Sequence, residues 1–283
     1  MSSSLDDWKH WRDDRVVAAR APHGPLALTG THWLADLRGG VPDVPGRWER
    51  QGDCVVLTAA RHDGLEVDGV ALDGPVRLCP DTAPKPSLIT HGGRLLVLIL
   101  REGEYAVRIY DPASHARAVF AGIDAHPFDE RWTLPARFTP YPGPRTVTVP
   151  NADGRERGLA LAGTVAFTLP SNGDAGAAAG TAAAAGAAAS AASAAEERTL
   201  QVSQAADGSL SAVFADASSG RESFRFRFIS LPAPGLDGAT VLDLNRAYLP
   251  PCAFADHFIC PFPPPGNRLD ATVPAGETRI LQH

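Results

Sequence analysis

The stretch Leu95-Leu-Val-Leu-Ile-Leu100, Arg101-Glu-Gly103, Glu104-Tyr-Ala-Val-Arg-Ile-Tyr110 decides the fold class. Its first part is an unbroken apolar run of strand length, which reads as a strand buried on both faces. Its last part alternates apolar and polar residues, as a strand with one face in the core does. Arg101–Gly103 between them is a turn, so the two halves form an antiparallel hairpin.

The same grammar extends in both directions. Upstream, Cys54-Val-Val-Leu-Thr58 is a short apolar run, and Leu65–Leu72 alternates around an Asp68-Gly69 turn. Downstream lie Arg145–Val149, Gly163–Leu169, Leu210–Phe214 and Ser223–Phe228. Short strands with turn signals at close spacing predict a mainly β protein, with antiparallel sandwich or barrel-like sheets. In Ser223-Phe-Arg-Phe-Arg-Phe228, period two puts Phe224, Phe226 and Phe228 on one face and Arg225 and Arg227 on the other. The expectation is a half-buried strand whose arginine face is solvated.

One segment has a different period. Residues 5–20, LDDWKHWRDDRVVAAR, carry Trp8, Trp11 and Arg15 at helical spacing, with Asp6 and Asp7 near the positive end of the helix dipole. This predicts one N-terminal α-helix, ended by Pro22, Gly24 and Pro25. The expected organisation is therefore the helix in residues 1–25, a first β unit in 26–111, and a second in 112–283. Residues 171–197, rich in Ala, Gly and Ser, have nothing large and apolar to bury and are expected to be a disordered insertion in the second unit.

Composition narrows the partners. The 283 residues are 44% hydrophobic and 20% charged, ordinary for a chain with a sizeable core. A net charge of −6, with positive residues scattered, argues against nucleic acid. The first ten residues lack an apolar signal core and no run reaches membrane-span length, so no membrane association and a cytoplasmic location are expected. Phosphate-loop, dinucleotide, zincin and EF-hand patterns are missing, which leaves the cofactor unknown and an enzyme of another type open.

The densest chemistry is in VLDLNRAYLPPCAFADHFICPFPPPGNRL, residues 241–269. Prolines at 250, 251, 261 and 263–265 fix φ, so this segment is stiff and extended. Its Leu242-Asp-Leu-Asn-Arg-Ala-Tyr248, Pro250-Pro-Cys-Ala-Phe254, Cys260-Pro-Phe-Pro-Pro264 and Asn267-Arg-Leu269, then Ala275-Gly-Glu277, resemble the domain of unknown function 1684 family. The resemblance extends upstream through Val107–Asp111, Phe120–Ile123 with Pro127, Ala136–Phe138, Asp216–Gly220 and Arg227-Phe228. Leu249 and Phe224 stand where the family usually has Asn and Tyr. The resemblance implies a shared fold and supplies no activity. A fainter likeness, to forkhead-associated β-sandwiches around Gly52–Leu57 and Leu65–Gly69, lacks the residues for phosphothreonine.

Candidate site residues follow from polarity in unusual places. Arg246 is suited to clamp a carboxylate or phosphate through two parallel hydrogen bonds, with Asn245, Tyr248 and Asp243 beside it and Arg108 or Arg137 as further positive charge. This describes a binding protein for a small anionic or polar organic ligand. The same residues also fit an internal network, with Arg246 on Asp243 or Asp111, and Arg108 pairing most simply with Asp111. An alternative is a hydrolase-like enzyme with Cys252 as nucleophile and a histidine, His126 or His257, as base. Cys252 and Cys260 are otherwise buried thiols or a local disulfide; their spacing with His257 does not match common zinc sites. A purely structural or partner-binding role fits the bland reading of each residue.

Overall fold

The computed structural model describes residues 4–170 and 197–283. The predicted disorder of the Ala-rich stretch lies, but for Glu197, outside the described residues. Helix α1 (Ser4–Arg20) opens the chain with Asp6 and Asp7 in its first turn and Arg20 in its last, both favourable to the dipole. Strands β1 (Leu28–Trp33), β2 (Arg47–Gln51), β3 (Cys54–Ala59), β4 (Leu65–Val67), β5 (Val70–Ala71), β6 (Gly74–Leu78), β7 (Ile89–His91), β8 (Arg94–Arg101) and β9 (Glu104–Tyr110) follow. They form an antiparallel sheet in the order β1-β9-β8-β7-β4-β5, and a three-stranded one, β2-β3-β6. Trp48, Val55 and Leu57 of the smaller sheet pack on Leu65, Ile89, Leu96 and Leu98 of the larger one, making a sandwich.

Both predicted hairpin turns are present. Asp68 and Gly69 have φ of 53° and 80°, and Glu102 and Gly103 have 50° and 82°. Paired positive φ values match the twist of flanking antiparallel strands, which fixes their register.

The rest of the chain adds α2 (His115–Val119), β10 (Phe120–Ala125), β11 (Thr133–Pro150), β12 (Glu156–Thr168), β13 (Glu197–Gln204), β14 (Leu210–Phe214), β15 (Arg227–Leu231), β16 (Ala239–Asp243) and β17 (Glu277–Gln282). Six of these strands make one curved antiparallel sheet, β15-β14-β13-β12-β11-β16, a half-barrel. Its concave core holds Val165, Leu200, Val202, Phe214, Ile229 and Leu244. Strands β10 and β17 pair separately.

The Phe–Arg alternation is where sequence reading and structure part. Strand β15 begins only at Arg227, and Arg227 is 0% exposed rather than solvated. It shares the inward face with Ile229 and Leu231, while Phe226 and Phe228 face a second cluster with Cys252, Phe258 and Cys260. Arg227 is thus enclosed while Arg225, just before the strand, is exposed, so the expected solvated arginine face holds for Arg225 and fails for Arg227.

Candidate functional site

The C-terminal segment leaves β16 through a 3-10 turn at Leu244–Arg246, capped by Asp243, whose Oδ1 accepts from the Asn245 N–H at 3.1 Å. Asn245 is buried and its amide is fully engaged. Oδ1 accepts from Asp129 N–H at 3.0 Å, and Nδ2 donates to Asp129 O and Asp243 Oδ1, each at 3.0 Å. Trp8 of α1 donates its indole N–H to Asn245 O at 2.9 Å. Asn245 thus welds three segments together.

Arg246 pairs with Asp243 at 3.3 Å and lies 5.9 Å over the Trp11 ring. Arg137 donates to Asp237 O at 2.6 Å, at the end of the β11–β16 pairing away from Asp243. The expected Arg108–Asp111 ion pair does not form among the described residues: Asp111 Oδ1 accepts from Ala113 N–H, and Arg108 lies 5.2 Å over Phe258. The strand pairing carries Arg108 away from the turn that occupies the carboxylate. The proposed cationic cluster of Arg246, Arg108 and Arg137 is therefore spread over three separate environments.

Tyr248 is different. Its backbone pairs with Phe228 in an isolated antiparallel bridge, and its ring meets Phe228 edge-on at 5.9 Å. With Phe228, Pro261 and Pro264 it walls a cavity of about 280 Å³ against Leu159, Leu161 and Val213 of the half-barrel. Gln201, Ser203, Ser211 and the Tyr248 hydroxyl supply polarity, and no charged side chain among the described residues lines it. Gln201 is committed, accepting from Tyr141 O–H at 3.2 Å and donating to Pro265 O. The Tyr248 hydroxyl has only a long, 3.4 Å contact to Ser230, and no hydrogen bond to the Ser211 side chain is present among the described residues.

The proline segment is pinned in place by groups that polarity alone did not single out. Asn267, 0% exposed, accepts from Gln201 N–H at 2.8 Å and donates to Gln201 O and Val213 O at 2.9 Å. Arg15 of α1 grips the buried Glu277 with two 2.9 Å bonds, and Glu277 also accepts from Leu249 N–H at 2.7 Å. Arg227 pairs with Asp216, both completely buried, at 3.1 Å and donates to Ala275 O and Val273 O. Part of the signal was in the chain: Asn267, Glu277, Asp216 and Arg227 each belong to a motif that carries the family resemblance, whereas Arg15 does not.

His126 and Cys252 lie in different surroundings. His126 lines a separate concavity with Phe128, Asp129 and Trp132. Burial, then the charge of Arg227, holds its imidazole below the ordinary histidine range. Cys252 is buried beside Cys260 and Arg225, and among the described residues no histidine is one of the groups that shift it. A Cys–His couple of the kind a thiol hydrolase needs is not assembled by these positions. Among the described residues, no three His, Cys, Asp or Glu side chains converge as a metal site, and no helix is long and apolar enough to cross a membrane.

No curated protein matches the chain. Among solved structures, an uncharacterised protein of Haloarcula marismortui, determined by solution NMR, is 26% identical over 56% of this chain and 77% of its own, with a TM-score of 0.41. The model of the family described as protein of unknown function (DUF1684) matches residues 118–278, which is more than half of the chain and contains the half-barrel and the proline segment. The chain belongs to the DUF1684 family.

Proposed function

We propose that the chain binds a small, uncharged, mainly apolar organic molecule with at least one hydrogen-bonding group, in the cavity between the half-barrel and the proline segment. The observation that carries this is the lining. Apolar walls of Leu159, Leu161, Val213, Phe228, Pro261 and Pro264 surround hydroxyls at Ser211 and Tyr248, with no charged side chain among the described residues of the lining. Apolar walls with a few convergent polar groups are what small-molecule sites consist of. Burying an ion there, with no guanidinium in the lining, would leave it uncompensated. Of the anionic and polar ligands the sequence suggested, a neutral one whose polarity is confined to a hydrogen-bonding group fits this lining.

The walls also come organised. Asn267 and the prolines fix the segment before any ligand arrives, so binding loses little conformational entropy. The test is a fragment screen by protein-observed NMR using neutral aromatic and alicyclic alcohols and amides. Hits should shift Val213 and Phe228 amides, and Tyr248→Phe should weaken the hydroxyl-bearing hits roughly tenfold, the worth of about one hydrogen bond. Hits that cluster elsewhere, or that ignore Tyr248→Phe, contradict the proposal.

A further inference from the structure

Independent of that cavity, the cysteines of the proline segment form an arrangement with chemistry of its own. Cys252 and Cys260 are both free and buried, and they stand at the two ends of a nine-residue loop flanked by Pro251 and Pro261. The loop folds back so that the N–H of Cys252 donates to Cys260 Sγ at 3.3 Å. A sulfur that touches the main chain of the other cysteine is within reach of its side chain, which is the geometric requirement for a bond between them.

Two arginines enter the same cluster without carboxylates. Arg225 stacks 4.9 Å over Phe262 and 5.6 Å over Phe226, and Arg108 lies over Phe258. Neither has an ion-pair partner among the described residues. A guanidinium held on aromatic rings beside a thiol favours the thiolate over the thiol.

We propose that Cys252 and Cys260 are a dithiol–disulfide pair, with Cys252 the thiol that a hydroperoxide oxidises first and Cys260 the thiol that resolves it. Cys252 loses its proton, and its sulfur attacks one oxygen of hydrogen peroxide. The S–O bond forms as the O–O bond breaks, and the departing hydroxide takes up the released proton as water. Cys260 sulfur then attacks Cys252 sulfur; the S–S bond forms, the S–O bond breaks, and the hydroxyl leaves with the Cys260 proton as a second water. Two thiols lose two electrons in all and the peroxide gains them.

The asymmetry between the two sulfurs supports the order. The hydrogen bond from Cys260, and then Arg225, draw the Cys252 thiol below its ordinary range despite burial. The bond to Cys252 and burial push the Cys260 thiol up, against the opposing pull of the Cys252 N–H.

The sequence provides a direct readout, because trypsin releases both cysteines in one peptide, residues 247–268, between Arg246 and Arg268. The full chain is treated with hydrogen peroxide, alkylated under denaturing conditions and digested without reduction. The peptide should lose the mass of two hydrogens, resist alkylation, and regain both alkylation sites after dithiothreitol. Cys79, which is exposed, reports the peroxide dose in the same digest. In Cys260→Ser, dimedone should trap a sulfenic acid at Cys252; in Cys252→Ser, dimedone should label Cys260 at least tenfold less. A peptide alkylated twice at a dose that oxidises Cys79 overturns the pair. Equal dimedone labelling in both variants overturns the assigned order. The unsubstituted chain decides the first question even if a serine variant does not fold.

Discussion

Replacing Arg227 by Met should be among the most damaging single changes in the half-barrel, and its size follows from what the guanidinium leaves behind. Arg227 loses its 3.1 Å bond to Asp216 and its bonds to Ala275 O and Val273 O. Asp216 stays fully buried, but it still accepts from Val273 N–H at 2.7 Å and from the Ser218 and Ser219 hydroxyls at 2.8 and 2.9 Å. Those donors partly compensate its charge, so the loss should be about 3–5 kcal/mol, the range for breaking a buried pair. Asp216→Ala should cost more, because four donors and a guanidinium whose Nε already lacks a partner are stranded together. The double variant, Arg227→Met with Asp216→Ala, should lose less than the sum, since neither charge is left alone. Urea unfolding, followed by far-ultraviolet circular dichroism and by tryptophan fluorescence, gives all three values. A second readout is His126: removing the arginine charge should raise its NMR-titrated pKa. A loss under about 1 kcal/mol for Arg227→Met, or strict additivity in the double variant, would refute the account of this pair.

Other positions make sharper local tests. Gly276 has φ of +79°, and a Cβ there would sit 2.5 Å from Ala247 O, so Gly276→Ala should cost more than about 2 kcal/mol; a neutral change by thermal melting counts against the packing at β17. Asn267→Ala removes three buried bonds and should cost about 3 kcal/mol, with faster hydrogen exchange at Gln201; unchanged exchange would show that the segment is held by something else. Because burial and Arg227 hold the His126 pKa below the unfolded value of 6.5, the unfolded chain binds this proton more readily. Stability from this residue is therefore complete above pH 6.5 and declines as pH falls below it, and His126→Gln should flatten that decline; an identical pH profile for the variant would exclude the residue as its source.

Much of the fold was legible because its signals are local. The Leu95–Tyr110 hairpin is determined by a turn and two strand patterns within sixteen residues, and the helix by three residues at helical spacing. The site was less legible because its partners are distant in sequence. The crowding of Asp243, Asn245 and Arg246 announced polarity, but nothing local reveals that Asn245 is saturated by the main chain of Asp129, 116 residues away. Alternation assigned Arg227 to the correct face, yet only the return of residues 273–275 shows that this face is closed. Tyr248 was singled out with Asp243, Asn245 and Arg246 as part of a polar cluster; of the sheet residues that complete its cavity, Ser211 and Val213 read simply as strand and Leu159 lay outside the predicted strands.

The central claim is that the cavity beneath Pro261 and Pro264 is a ligand site, and filling it is the most direct test. Ser211 lines the cavity from β14, so Ser211→Trp places an indole where the ligand would sit. Isothermal titration with the tightest neutral fragment hit should give binding to the unsubstituted chain and none to Ser211→Trp, while the variant melts at or above the original temperature. Undiminished binding by a well-folded Ser211→Trp would contradict the claim.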